Sequence, residues 1–408
     1  MKFADGANIL FFFKSVYGII RKIGVNTGMI KITAGRNDAE QRLDRFLRKY
    51  LRGAALGNIY KIIRKDIKIN GSRAGVKNET VIHEGDEISL YISDADFEKY
   101  TGGSNASGSA EAPRGAGRDA GNAPSAAGKK RPRRSFGIIY EDENIIAVEK
   151  PYGLLTHGDG REKKNTLVNQ VIDHLIEKGD YVPRLERSFT PAAVNRLDRN
   201  TTGIVLLGKN AAALRTLNAM IRSKESVSKY YITIVKGELE GELRLEGELV
   251  KDEDRNIVSV SAQADESGAQ GATASGCPPD ASRTGRPASP QAAGGRAKQI
   301  TTIARPLAVN NGFTLAEIEL ITGRTHQIRA HMASAGYPVI GDTKYGDPAV
   351  NDSVASRYGL KAQLLHAYRL VINDADEPLA YLKGREFKAP LTKQAAKVCH
   401  SMFPDTEI

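Results

Sequence analysis

Two stretches of this chain lack the apolar bulk that a core needs, and they decide how the rest can be divided. Residues 94–135 and 262–297 are dominated by Gly, Ala, Ser and Pro. Such segments bury too little surface to offset the entropy of ordering them, so both are expected to be disordered. The first ends in a basic run, Gly128-Lys129-Lys130-Arg131-Pro132-Arg133-Arg134. It reads either as a linker with an electrostatic role toward nucleic acid or as a plain solubilising spacer. The second interrupts what reads as one hairpin, with strands at 256–261 and 299–305. An insertion there is tolerated because closure entropy grows slowly with length. What remains is an extension (1–28), a small module (29–93) and a large mixed domain (136–400).

The 408 residues suffice for two or three domains with a sizeable core. The net charge of +11 points to an anionic partner, nucleic acid before a membrane surface. Cys277 and Cys399 are the only cysteines, which argues against a disulfide framework or a zinc site and fits a reducing compartment. The apolar run from Ile9 to Phe13 is broken by Lys14 and is too short to span a bilayer. It also lacks a small-residue cleavage site. Met29 stands immediately before the first domain-like sequence, so residues 1–28 read as an upstream extension of the reading frame.

In the small module, Leu43, Phe46, Leu47, Tyr50 and Leu51 recur at helical spacing, as do Leu56, Ile59 and Ile63. Ile67 and Ile69 alternate before the turn Asn70-Gly71, and Ile88, Leu90 and Ile92 alternate in a last strand. Between Arg36 and Lys77 there are 12 Lys/Arg against 4 Asp/Glu. Arg45, Arg48, Arg64, Lys65, Lys68 and Arg73 give the module a basic face. Charge alone does not separate an RNA-binding surface from a solvated one.

The large domain centres on Asn195-Arg196-Leu197-Asp198-Arg199-Asn200-Thr201-Thr202-Gly203. A short β-branched run, Ile204 to Leu207, follows and ends at Gly208, which reads as a buried strand. Asp198 is thereby placed on a loop held by a rigid strand. Lying between Arg196 and Arg199, it is expected to stay ionised and acceptor-only. That suits a nucleophile or base and not a proton donor. By composition alone, such a cluster is more often a surface ion pair. Helices are expected at 167–175, at 210–224 and at 325–333. Strands are expected at 138–142, 145–151, 228–237 and 313–320.

Three motifs carry a resemblance. The loop resembles the catalytic signature of the RluA-type pseudouridine synthases, with Asn195 where many members have His. Ser228-Lys229-Tyr230-Tyr231 resembles that family's Lys-x-Tyr motif, and Thr322-Gly323-Arg324-Thr325-His326-Gln327-Ile328-Arg329-Ala330-His331 resembles its second strong signature. The strand ending at Lys150-Pro151 and the run Leu365-His366-Ala367-Tyr368 resemble further family elements. The small module, in turn, resembles the S-four-type RNA-binding domain.

The resemblance implies an α+β catalytic domain with a mixed, mainly antiparallel central sheet, and a small α/β N-terminal domain. The implied reaction is isomerisation of uridine to pseudouridine in RNA, without cofactor or metal. The layout resembles the RluC and RluD branch, which modifies large-subunit ribosomal RNA. It implies Asp198 as nucleophile or base, Arg324 as its salt-bridge partner, and Tyr231 as the ring packed on the target base. Arg196 would fill the space of a flipped-out uridine, with Arg199 beside it. A cytoplasmic monomer with structured RNA as partner is expected, and no membrane. The alternative from another class is a non-catalytic RNA-binding or ribosome-assembly protein that retains the fold.

Two decoys fall away. His326 and His331 lie five residues apart and do not share a helix face, so they are a poor metal pair. Gly203-x-x-x-x-Gly208-Lys209 mimics a phosphate-binding loop, but its middle is a hydrophobic strand and Asn210 replaces the required Ser/Thr.

Overall fold

The computed structural model describes residues 28–101, 134–183, 185–252, 257–262 and 297–406. The basic run up to Arg133, most of the 1–28 extension and most of the 262–297 insertion lie outside the described residues. The chain divides into two units, residues 1–119 and 120–408. Among the described residues no helix is long and apolar enough to cross a membrane.

The first unit is built from β1 (Met29–Thr33), β2 (Gln41–Arg42), α1 (Leu43–Tyr50), α2 (Leu56–Lys65), β3 (Ile67–Ile69), β4 (Val81–Ile82), β5 (Glu87–Tyr91) and α3 (Asp94–Thr101). The apolar positions read from the sequence converge: Leu43, Phe46, Leu47, Ile59, Ile63, Ile67, Ile88 and Leu90 form one buried cluster. The antiparallel sheet β1-β5-β3 backs the two helices. Helix α3 corrects the expected start of the linker at residue 94. Ser93 caps it by accepting from the Asp96 N–H at 3.1 Å, and Phe97 and Tyr100 pack on the cluster. Its polar composition hides two aromatics at helical spacing.

The second unit contains β6 (Gly137–Glu141), β7 (Ile145–Lys150), α4 (Leu167–Lys178), β8 (Ala192–Ala193), β9 (Thr202–Gly208), α5 (Ala211–Ser223), β10 (Val227–Lys236), β11 (Leu243–Asp252), β12 (Ile257–Ala262), β13 (Lys298–Asn310) and β14 (Phe313–Leu320). It continues through α6 (Gln327–Ser334), α7 (Pro348–Tyr358), β15 (Leu365–Ile372), β16 (Glu386–Lys388) and α8 (Lys393–Met402). The sheet runs β12-β11-β13-β14-β10-β15-β9-β7-β6, with β16 on β15 and β8 on β9. All these pairs are antiparallel except β9–β15, so the sheet is mixed and mainly antiparallel. The expected hairpin of 256–261 with 299–305 is not formed. Strand β11 lies between them and pairs with β12 on one side and β13 on the other.

The single parallel pair matters because β9 carries the catalytic-type loop at its N-terminal end. Gly203 has φ +109°, and a Cβ there would lie 2.1 Å from the Ala367 carbonyl oxygen of β15. Only glycine lets the two strands approach so closely. Gly203→Ala is expected to cost roughly 2–6 kcal/mol from backbone strain plus overpacking. Chemical denaturation would read this as a lowered midpoint at unchanged slope. A midpoint within error of the parent would refute the tight-approach account.

Candidate active site

Asp198 lies in a cleft of about 990 Å³ formed by the loop before β9, the end of β14, the turn into α6 and the start of β10. The loop is held on both sides of the carboxylate. On one side, Thr156 Oγ1 donates to the Leu197 carbonyl at 2.9 Å and accepts from the Leu197 N–H at 3.2 Å. The Leu197 side chain is itself buried in the core under the cleft. On the other side, Lys150 Nζ donates to the carbonyl of Arg199 at 2.8 Å.

Lys150 is fully buried and also donates to the carbonyls of Pro151 (3.0 Å) and Leu154 (2.7 Å). Burial, partly offset by the Asp198 charge, pushes its pKa down to about 7. Three carbonyl acceptors need three N–H donors, so the ammonium is the form this geometry fits. A lysine closing an apolar strand looks like an exposed strand end in sequence. Here it ties the turn after β7 to the Asp198 loop.

Asn195, standing where relatives of this loop often carry His, serves the backbone. Its amide donates to the Ile204 carbonyl at 3.0 Å and accepts from the Leu206 N–H at 2.9 Å. It extends the edge pairing of β9 and makes no contact with the carboxylate.

The partner of Asp198 is not the expected one. Arg329 Nη1 donates to Asp198 Oδ2 at 3.0 Å. Arg324 is exposed at the wall of the cleft and makes no ion pair among the described residues. The cause is where the helix begins. Residues 322–326 form a non-helical turn in which Gln327 Oε1 accepts from the Arg324 N–H at 3.0 Å and from Thr322 Oγ1 at 2.9 Å. His326 has φ +55°, and α6 starts only at Gln327. Arg324 therefore stays on the turn, while Arg329 enters from the buried first turn of α6. The arginines flanking Asp198 in sequence do not pair with it either. Arg199 faces Asp159 at 3.4 Å, and Arg196 is exposed along the cleft.

Arg329 is held in turn by Asp342, through Nε–Oδ2 at 2.6 Å and Nη2–Oδ1 at 2.7 Å. Asp342 is fully buried, and its Oδ1 also accepts from the N–H groups of Lys344 and Tyr345. Burial would push the Asp342 pKa up, but the guanidinium and these N–H groups hold it below the usual range. Burial likewise works against the Arg329 charge and is outweighed by Asp342 and Asp198. The result is a fixed cation whose Nε and Nη2 are directed at Asp342 and whose Nη1 donates to Asp198. The Asp198 side chain remains a quarter exposed, open to a ligand in the cleft.

Tyr231, on β10, is buried and lines the cleft. Burial, with the Asp198 charge adding to it, pushes its phenol pKa up, so it is neutral at pH 7. His326 Nε2 stands 3.9 Å from Asp198 Oδ2, beyond hydrogen-bond range, and its Nδ1 lies 3.0 Å from the Tyr345 hydroxyl. Burial lowers its pKa. His331 is spent on a structural contact, Nδ1 to Thr302 Oγ1 at 3.0 Å. Lys209 is buried against Glu141 and Asp180, which closes the phosphate-loop reading. The cleft thus presents a fixed carboxylate, a buried neutral aromatic ring, and cations at Arg196, Arg199, Arg222, Lys229 and Arg324. That set suits an anionic ligand carrying a planar base, with a nucleophile or base aimed at it.

Sequence reasoning marked no site role for Asp342 or Thr156, and quoted Lys150 and Arg329 inside family-like motifs without giving either a role at the site. For Arg329 a signal existed: Ile328 and Met332, four apart, mark the buried face of α6 close beside it.

Comparison with known proteins follows the same line. Residues 144–334 match the family model described as RNA pseudouridylate synthase. The chain is similar to ribosomal large subunit pseudouridine synthase C of Vibrio vulnificus, 30% identical over 368 residues, covering 89% of this chain and 93% of that protein. It is 28% identical over 349 residues to the Escherichia coli protein of the same name, covering 84% and 87%. Among solved structures, human RNA pseudouridylate synthase domain containing 4 matches with a TM-score of 0.47 and 19% identity, covering 65% of this chain and 92% of that one.

Proposed function

Since the chain belongs to the RNA pseudouridylate synthase family and is an RNA-modifying isomerase, we propose that it acts on large-subunit ribosomal RNA, with Asp198 as its nucleophile or base. The observation that carries the catalytic part is the Asp198–Arg329–Asp342 chain, which keeps one carboxylate oriented and open to the cleft. In the reaction the bond from ribose C1′ to uracil N1 breaks, the base turns, and a bond from C1′ to C5 forms. The C5 hydrogen is lost as a proton and N1 gains one. Electrons balance within the nucleotide.

The residues of this chain supply position and charge. Asp198 engages the target nucleotide. Tyr231 packs on its base, and Arg329 keeps the carboxylate in place. The target atoms are shielded in a stacked strand, so the uridine is flipped into the cleft, and Arg196 occupies the space it leaves.

The ribosomal target rests on the two relatives named above, and the basic first unit supports an RNA partner. That unit resembles an S-four-type RNA-binding domain. Arg45, Arg48, Arg64, Lys65 and Arg73 are exposed and form no ion pair among the described residues; Lys68 is half-buried over the Tyr91 ring. Replacing Arg45, Arg48, Arg64 and Lys65 with Gln is expected to weaken binding to structured RNA and to reduce the slope of log affinity against log salt by about 3. An unchanged slope would remove the unit from the RNA interface. The target class is tested with ribosomal RNA from a strain lacking the gene, incubated with purified protein. Pseudouridine is expected at discrete positions of the large-subunit RNA; modification confined to small-subunit RNA would overturn the assignment.

A further inference from the structure

A second, smaller cavity of about 200 Å³ adjoins the active cleft and is not used by the chemistry above. The two share a wall made of Asn200, Gln363 and Leu365. Asn200 is two residues from Asp198, so the cavity lies directly behind the catalytic loop. We propose that this cavity is a recognition subsite for the nucleotide next to the target uridine in the RNA strand, with Tyr152 as the platform on which its base stacks. The inference rests on the RNA-synthase reading and adds a specificity determinant to it.

Three observations carry it. First, Tyr152 is 53% exposed although it is a large aromatic on a rigid turn. The turn is fixed by the Lys150 ammonium, which binds the carbonyls of Pro151 and Leu154 and, in the same cluster, that of Arg199. Tyr152 and the catalytic loop are therefore held in one frame, and folding gains little from leaving the ring in solvent. An exposed, pre-positioned ring at a cavity mouth is what base stacking needs.

Second, Gln363 is buried in the shared wall. It reaches Thr201 Oγ1 of the catalytic loop at 3.4 Å through one amide atom. Its other amide atom has no partner among the described residues. A primary amide offers two donors and an acceptor, a set that matches the edge of a base rather than an apolar ligand. Third, Lys361 stands exposed at the cavity and makes no ion pair among the described residues, which leaves its charge for a phosphate. Leu360, Leu364, Leu365 and Ala395 give the cavity an apolar lining between these groups that suits the face of a base.

Continuity decides the occupant. A strand whose uridine lies at Asp198 has its neighbouring nucleotide within one wall of this cavity, and no second macromolecule is needed to fill it.

The test is a coupling measurement on a synthetic hairpin that spans a mapped target uridine. Abasic sites are placed immediately 5′ or 3′ of the target, and kcat/KM is measured for the parent protein and for Tyr152→Ala. Each change alone is expected to lower kcat/KM by about 5- to 100-fold. Together, for one of the two neighbours, they are expected to cost no more than either alone, because both delete the same stack. Fluorescence of 2-aminopurine at that neighbour should be quenched on binding to the parent and not to Tyr152→Ala. Fully additive effects at both neighbours, with equal quenching by both proteins, would overturn the subsite while leaving the enzyme reading intact. No conversion of the hairpin by the parent protein would instead overturn both.

Discussion

Arg329→Ala is expected to lose about 3–5 kcal/mol of stability and about 100-fold or more in kcat/KM, whereas Arg324→Ala changes stability by less than about 0.5 kcal/mol. The asymmetry follows from position. Removing the Arg329 guanidinium leaves Asp342, fully buried, with no cation, and a buried unpaired charge is costly. The same substitution frees Asp198 from its 3.0 Å contact with the guanidinium, so the carboxylate loses its orientation. Arg324 lies exposed on the turn and can be truncated without leaving a charge stranded. Arg329→Lys separates the two roles. Lysine restores a charge but not the fork that serves Asp342 and Asp198 together, so stability should recover further than activity. Denaturant unfolding and single-turnover conversion check both effects. If Arg324→Ala were the more damaging of the two, Arg329 would not be the partner that holds Asp198.

Asp198→Asn is expected to reduce conversion by at least about 10⁴-fold while the protein stays folded and binds RNA as before. Asparagine keeps the shape and removes the charge and the nucleophilic oxygen. Arg329 remains paired with Asp342, so no buried cation is left uncompensated. Affinity for RNA is set by cations elsewhere, and removing one negative charge from the cleft does not weaken it. Chromatographic analysis of nucleosides after nuclease digestion reads the conversion, and melting and RNA titration serve as controls. Loss of folding in this variant would give Asp198 a structural role that its one-quarter exposure does not suggest.

The Asp198 loop was legible as local structure because three signals agree there: a charged triplet, a polar turn ending in Gly203, and a β-branched run that reads as a buried strand. Its proposed catalytic role came from the family resemblance, since by composition such a cluster is more often a surface ion pair. Helix α5 was legible for a similar reason. Asn210 caps it, accepting from the Ala213 N–H at 2.9 Å, and Leu217 and Met220 turn inward. What was not legible depended on long-range pairing. Strand β11 alternates Leu243, Leu245 and Leu249 with charged residues, yet nothing local says that it separates β12 from β13. The choice between Arg324 and Arg329 depended on a helix start shifted by two residues, set by the Gln327 side chain folding back on the turn. Lys150 and Thr156 act on backbone carbonyls and N–H groups more than forty residues away, and no motif spacing encodes such a contact. The low-complexity insertion lies outside the described residues.

Asp198, held by Arg329 at 3.0 Å, is the group proposed to carry the isomerisation. The most direct measurement is a nucleotide-resolution pseudouridine map of ribosomal RNA from cells lacking the gene, complemented with either the parent gene or Asp198→Asn. Discrete large-subunit uridines should be unmodified in the deletion, restored by the parent gene, and left unmodified by the Asp198→Asn protein expressed at the same level. Restoration by Asp198→Asn, or a map unchanged by the deletion, would contradict the claim.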